Sequence, residues 1–424
     1  MYLKGSKWSM NKRRKPLRVF NILILVVLIG LVIYFNQVVI PTIPTPFVPT
    51  PTATRMPESY LSEAEGLFND GKLIQAITVY EEAIRANPSD ANIYLALARV
   101  QVFAGQIDEA LTNAENSLLL SNNSSMAYAV RGWALTRQGD FVTAETALKK
   151  AIEIDPNNGL AHAYYAELLG EMFLAEVGPF GAIDLAIEES RVAATLAANT
   201  LEANYARGFI LEITDNREEA VQAYLAAIAI NPNIPEIHLA LGRTYRVLGA
   251  IGNAIDEYTI ANTLNPSDPI PDLYTSRAYA AFGEFAKAVQ SAELAVSNDP
   301  EDAYLIGNLG LMLYRNFQWP EAIEQFSLAI NGGANADGLV IVPLELTGDD
   351  LYITQYFSAF ALVLANTDRC SDVLNVAKTI LEKIPSDEDA VFNANEAMRI
   401  CADSLLTPSP NFAPIVTTTT TPSP

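Results

Sequence analysis

Only two imidazoles, His162 and His238, are available in this chain for general-base or zinc chemistry. They stand 76 residues apart, so they form no pair such as His-Glu-x-x-His, which sets two rings on one helix face. No Gly-x-Ser-x-Gly elbow and no Gly-Lys-Ser/Thr phosphate loop occurs, and the glycine-rich stretch from Gly332 to Gly348 contains no lysine. Two cysteines, Cys370 and Cys401, are too few for a disulfide framework or a thiolate metal site. These residues argue against catalysis, and the sequence predicts no catalytic residues, no metal and no cofactor.

Charge narrows the partners. No acid precedes Glu58, whereas eight of the 27 basic residues lie between Lys4 and Arg55. The remaining 19 basic residues face all 49 acids, so everything after the first 57 residues carries about −30. A body of that sign repels bare nucleic acid and anionic lipid, so no nucleic acid partner is expected.

The elements that would carry any site begin with an apolar run. Val19 to Ile40 is uncharged, and at 1.5 Å per residue its 22 residues would reach about 33 Å. Lys12, Arg13, Arg14, Lys15 and Arg18 precede it, and the positive-inside rule keeps that flank cytoplasmic. A cleaved signal peptide would begin the same way, but Phe35 to Ile40 offers no small-x-small cleavage site. The sequence therefore predicts a basic tail (1–18) and a signal-anchor helix (19–40) that places the rest outside a plasma membrane. A Pro/Thr linker (41–57) follows, its prolines favouring extended polyproline II. A second Pro/Thr segment, 407–424, is expected to be disordered.

Between these segments the chain repeats itself. Gly71, Gly105 and Gly139 are each 34 residues apart, as are Ala220, Ala254, Ala288 and Ala322, and Pro232, Pro266 and Pro300. Counting units from 57, 91, 125, 159, 201, 235, 269, 303 and 354, position 8 is always small: Ala64, Ala98, Gly132, Ala166, Gly208, Gly242, Ser276, Gly310 and Ala361. Position 20 is alanine in eight units and Val373 in the ninth. Small residues at fixed spacing let two helices approach closely, with larger neighbours filling the holes. Glycine at position 15 and proline near position 32 would end the two helices of a unit.

This pattern resembles the tetratricopeptide repeat. The resemblance implies an all-α, right-handed superhelical solenoid of about nine antiparallel helix pairs over 58–406, preceded by the one transmembrane helix. The pattern is interrupted near 170–181, where eight extra residues lengthen the fourth unit, and near 331–353, ahead of a weaker ninth unit. Residues 386–406 are expected to form a closing helix, because each unit alone buries too little.

The resemblance also implies a concave groove lined by positions 2, 5, 9, 12 and 13 of the first helices. Carried over, these include Arg99, Phe103, Trp133, Arg137, Tyr205, Phe209, Arg243, Arg246, Arg277, Tyr304 and Arg315. Arginine forks and aromatic faces suit an extended peptide bearing carboxylates. Alternatively, the arginines pair with Glu65, Glu167, Glu212 and Glu236 and the aromatics pack between helices. If the groove reading holds, Arg243→Glu with Arg277→Glu should leave the fold intact. By the same register Cys370 and Cys401 come near each other, and an exported chain would join them in a disulfide. The expected function is a membrane-anchored scaffold binding protein or peptide. The alternative is an assembly factor acting through self-association, and the oligomeric state is left open.

Overall fold

The computed structural model describes residues 19–39 and 56–406. The expected basic tail, most of the Pro/Thr linker and the 407–424 tail lie outside the described residues. The chain forms two compact units, Met1–Arg55 and Met56–Pro424.

In the first unit, helix α1 (Val19–Tyr34) is followed by a π-helical turn, Phe35–Val39. Alpha-helix α1 alone has 16 residues. Among the described residues no helix is long and apolar enough to cross a membrane.

The second unit is a succession of helix pairs. The first two pairs are α2 (Pro57–Asn69) with α3 (Leu73–Ala86), and α4 (Ala91–Phe103) with α5 (Ile107–Leu120). The next two are α6 (Ser125–Gln138) with α7 (Phe141–Ile154), and α8 (Gly159–Leu174) with α9 (Ala182–Leu196). Then come α10 (Leu201–Ile213) with α11 (Arg217–Ile230), and α12 (Pro235–Val247) with α13 (Ile251–Leu264). Three pairs complete the array: α14 (Pro269–Phe282) with α15 (Phe285–Asn298), α16 (Ala303–Arg315) with α17 (Trp319–Asn331), and α18 (Leu351–Asn366) with α19 (Cys370–Lys383). A lone helix, α20 (Glu388–Leu406), packs on α18 and α19. Pro57, expected to close the linker, instead opens α2 at a position where its missing N–H costs nothing.

The small residues at position 8 lie beneath the residue sixteen positions later. A Cβ built on Gly208 would stand 2.6 Å from the Tyr224 ring, and on Gly242 2.4 Å from the Tyr258 ring. Only a missing side chain lets the two helices of those units close. Position 15 is left-handed in eight of the nine units: five place glycine there, and Asp215, Phe317 and Asp368 adopt the same positive φ, while in the lengthened fourth unit the left-handed residue comes three positions later, at Glu176. The Schellman-type turn is thus a property of the packed pair, imposed even where a side chain costs about 1 kcal/mol.

Both interruptions differ in detail from expectation. In the fourth unit α8 runs on to Leu174, so only 175–181 form the lengthened turn. The later insertion is not wholly irregular: β1 (Gly333–Ala334) pairs antiparallel with β2 (Val340–Ile341), which adds a small hairpin to an otherwise helical unit. Ile341 and Leu346 bury against the array from this insertion.

Candidate functional site

First helices contact one another in succession, α4 with α6, α6 with α8, α8 with α10, and later α14, α16, α18 and α20, so they line one inner face. In the first six units the chain's own side chains fill that face. Phe68, Phe103, Trp133 and Tyr164 form a continuous aromatic ladder with ring centroids 5.6, 4.9 and 4.6 Å apart, the last pair stacked.

The arginines of this face meet carboxylates from across it. Arg99 pairs with the buried Glu202 and lies over the Phe68 ring. Arg137 lies 3.1 Å from Glu167, pairs with Glu236, and sits near the Trp133 and Tyr205 rings. Tyr205 donates its hydroxyl to Glu236 at 2.9 Å. Arg243 lies 3.4 Å from Glu212, which also accepts from Tyr224 at 2.7 Å. Burial opposes the charge of Arg137, yet Glu236 and Glu167 hold its pKa well above the ordinary value. Burial pushes the Glu167 carboxyl up to about 7 despite Arg137 beside it.

These pairs span distant repeats, because the array coils back on itself. Asn231 donates to the Phe68 carbonyl at 3.3 Å and Asn233 to the Asn69 carbonyl at 2.8 Å. One apolar cluster contains Phe68, Tyr80 and Leu97 together with Leu201, Tyr224 and Ile237. A cleft of about 760 Å³ remains where the early turns meet the sixth unit, with Arg137, Glu236 and Phe103 on its walls.

The remaining predicted groove residues divide. Phe209 is buried and fills the space that a side chain on Gly170 would occupy. Arg246 lies against Tyr258, whose hydroxyl burial pushes up to about 12 while Arg246 pulls it back. Arg277 is buried without a carboxylate: it donates to Asn308 and to the Tyr356 hydroxyl, each at 3.1 Å, and stacks 3.4 Å from the Tyr352 ring and 5.1 Å from Tyr304. It is a strut joining α14, α16 and α18, so its reversal is expected to destabilise the fold.

Arg315 has a different setting. It lies half-buried beside Tyr314 and makes no ion pair among the described residues. It borders a groove of about 440 Å³ walled by α16, α18 and the start of α20. Leu351 and Phe392 line this groove and are 66% and 67% exposed, large apolar surface left open to solvent. Thr354, only 5% exposed, also borders this groove, and its buried hydroxyl has no hydrogen-bond partner among the described residues. Asp387 and Asp389 stand on the α20 wall.

Most of these residues are readable from the repeat register. Leu311, Tyr314 and Arg315 are positions 9, 12 and 13 of the eighth unit, and Gln355, Ser358 and Leu362 are positions 2, 5 and 9 of the ninth. One more step of 34, from 354 to 388, makes Asp389 and Phe392 positions 2 and 5 of a tenth first helix. Reading α20 only as a cover left those two out.

The histidines are structural. His162 lies 3.0 Å from the Pro156 carbonyl and contacts Glu189; His238 lies 2.9 Å from the Pro232 carbonyl and 2.6 Å from Glu257. The hydrogen bond to Glu189 raises the His162 pKa. Cys370 and Cys401 are joined in a disulfide with their Cα atoms 5.5 Å apart, tying α19 to α20.

Comparison with known proteins adds the following. Models described as tetratricopeptide repeat match residues 67–119, and 95–159 with 275–338, and one described as TPR repeat matches 216–249. The chain is 35% identical over 95 residues to the BBSome complex member BBS4 of Bos taurus, covering 22% of this chain and 18% of that protein. It is 30% identical over 92 residues to the Hsp70-Hsp90 organizing protein of Triticum aestivum, covering 22% of this chain and 16% of that one. Over 169 residues it is 25% identical to the human protein O-mannosyl-transferase TMTC1, 39% of this chain and 18% of the relative. The matches span less than a fifth of these relatives' length, from 16% to 18%. Among solved structures, Pseudomonas aeruginosa PilF matches with a TM-score of 0.40 and 23% identity over 48% of this chain and 88% of that one. PilW, a type IV pilus biogenesis factor, matches with 0.43 and 19% over 48% and 90%. With the helix pairs of the described residues, their small position-8 residues and their left-handed turns already in view, the three repeat-model matches identify the chain as a tetratricopeptide repeat protein.

Proposed function

We propose that this protein is a non-catalytic, membrane-anchored scaffold that holds an extended polypeptide in the groove between α16, α18 and α20. The observation that carries this reading is a contrast along one face. In the first six units Arg99, Arg137 and Arg243 are already paired with carboxylates and the ladder aromatics already in ring contact, whereas the last units leave Leu351, Phe392 and Arg315 on an open groove. A concave groove that sets apolar surface beside polar groups able to fix orientation is where a ligand can be held. An occupant would seat apolar side chains on Leu351, Leu362 and Phe392 and turn a carbonyl or carboxylate toward Arg315.

Anchoring rests on the apolar run from Val19 to Ile40 behind a basic flank. A plasma membrane with the N-terminus cytoplasmic and the repeats outside fits that charge order.

The test is a peptide array of extended segments probed with the full chain in detergent, alongside the variant Leu351→Asp with Arg315→Glu. Binders lost in the variant support the reading, and binders retained by it overturn the placement. Assembly through self-association is favoured by one observation: the end of α8 and the lengthened turn after it expose Phe173, Leu174, Val177 and Phe180. Sedimentation that changes with concentration and reverts in Phe180→Ser would support that second role.

A further inference from the structure

The groove has a candidate occupant within the same chain. We propose that the segment Asn411–Val416, in the tail beyond α20, docks in the groove between α16, α18 and α20 and competes with any external polypeptide. This inference rests on the groove reading above.

Reach is the first argument. Phe392 stands on the groove wall and the tail leaves α20 after Leu406, 14 helical residues away, or about 21 Å. From Leu406 to Phe412 is six residues, which extended chain spans in about 20 Å. A tail folding back along α20 therefore brings Phe412 level with Phe392, and Ile415 and Val416 about 10 to 13 Å further along the groove. The Cys370–Cys401 disulfide holds α20 against α19 five residues before the exit, so the starting point of the tail is fixed.

Chemistry is the second. Residues 407–424 contain no charged side chain, so the tail suffers no repulsion from Asp387 and Asp389 on the groove wall or from a body of about −30. Prolines 410 and 414 flank Phe412 and limit the entropy lost on binding in extended form, leaving backbone carbonyls to accept from Arg315. Phe412, Ile415 and Val416 supply apolar surface for Leu351, Leu362 and Phe392.

Concentration is the third. A short tether gives an effective concentration in the millimolar range, so even a weak intrinsic affinity keeps such a site occupied.

The experiment places a photoreactive benzoylphenylalanine at Phe392 of the full chain, a position exposed enough to accept it, and maps adducts by mass spectrometry at high dilution. The expected adducts fall within 411–416 of the same molecule, and Phe412→Asp lowers their yield roughly tenfold or more, because the apolar anchor is lost. Adducts confined to α16 and α18, adducts between two copies, or a yield unchanged by Phe412→Asp overturn the proposal. If external peptides bind in the array assay while 411–416 is never labelled, the groove reading survives and the tail does not occupy it. If neither peptides nor the tail engage, both fall.

Discussion

Gly71 and Gly105 offer a matched pair for measuring how firmly the array closes on itself. Both sit at position 15, both have φ of 74°, and they are 34 residues apart. Replacing either by alanine forces a side chain into left-handed backbone, at a cost of about 1 to 2 kcal/mol that the two share. Their surroundings differ. A Cβ on Gly105 meets nothing within 4 Å, whereas on Gly71 it would stand 2.6 Å from the Asn233 Cβ and 2.7 Å from the Asn233 carbonyl oxygen. Relief requires the 69–72 turn to move away from 231–235. That movement strains or breaks the hydrogen bonds from Asn231 to Phe68 and from Asn233 to Asn69, each worth about 1 kcal/mol. Gly71→Ala should therefore be roughly 2 kcal/mol less stable than Gly105→Ala in urea unfolding followed by far-ultraviolet circular dichroism. Amide exchange should rise across 231–237 in Gly71→Ala alone. Equal midpoints within about 0.5 kcal/mol, with unchanged exchange, would refute the closure as an energetic feature.

Other consequences follow from the filled and open parts of the inner face. The Glu167 carboxyl is raised by burial to about 7, above its unfolded value near 4.5, so the folded state holds that proton more tightly and stability is lost as pH rises from about 4.5 to 7. The loss is on the order of 3 kcal/mol, and in Glu167→Gln denaturant titrations across that window should show a flatter profile; identical slopes would refute it. Arg277→Glu places a carboxylate among Tyr304, Tyr352 and Tyr356 and should cost about 3 to 5 kcal/mol, while Arg315→Glu should change thermal stability by no more than about 0.5 kcal/mol. Comparable melting of the two variants would contradict the division drawn between strut and groove. Reducing the Cys370–Cys401 disulfide, 31 residues apart, should cost about 3 kcal/mol and appear as faster amide exchange in α20, with the first six units unchanged.

The repeat itself was legible because its cause is local. A small residue at position 8 and a large one sixteen residues later must meet whenever two helices of a unit pack, so Gly242 and Tyr258 announce each other in the sequence. Left-handed turns at Glu176, Asp215, Phe317 and Asp368 were not legible, because there the packed pair imposes a conformation that the residue type does not favour. Closure of the array was hidden for a different reason: small rotations accumulate over five units before Asn233 meets Asn69, and no short-range spacing records the sum. For that reason Arg99 and Arg137 look free in the sequence and find Glu202 and Glu236 about a hundred residues away. The open groove was partly readable, through Arg315, and would have been more so had the period been carried on to 388.

The central claim is that polypeptide is held at the last units and not in the first six. Benzoylphenylalanine at Leu351 and, in a separate chain, at Phe103 tests it directly, since Leu351 stands in the groove between α16, α18 and α20 and Phe103 borders the cleft where the early turns meet the sixth unit. The account predicts polypeptide adducts from Leu351 and none from Phe103 when the full chain is irradiated in its membrane. Adducts from Phe103 with none from Leu351 would contradict it.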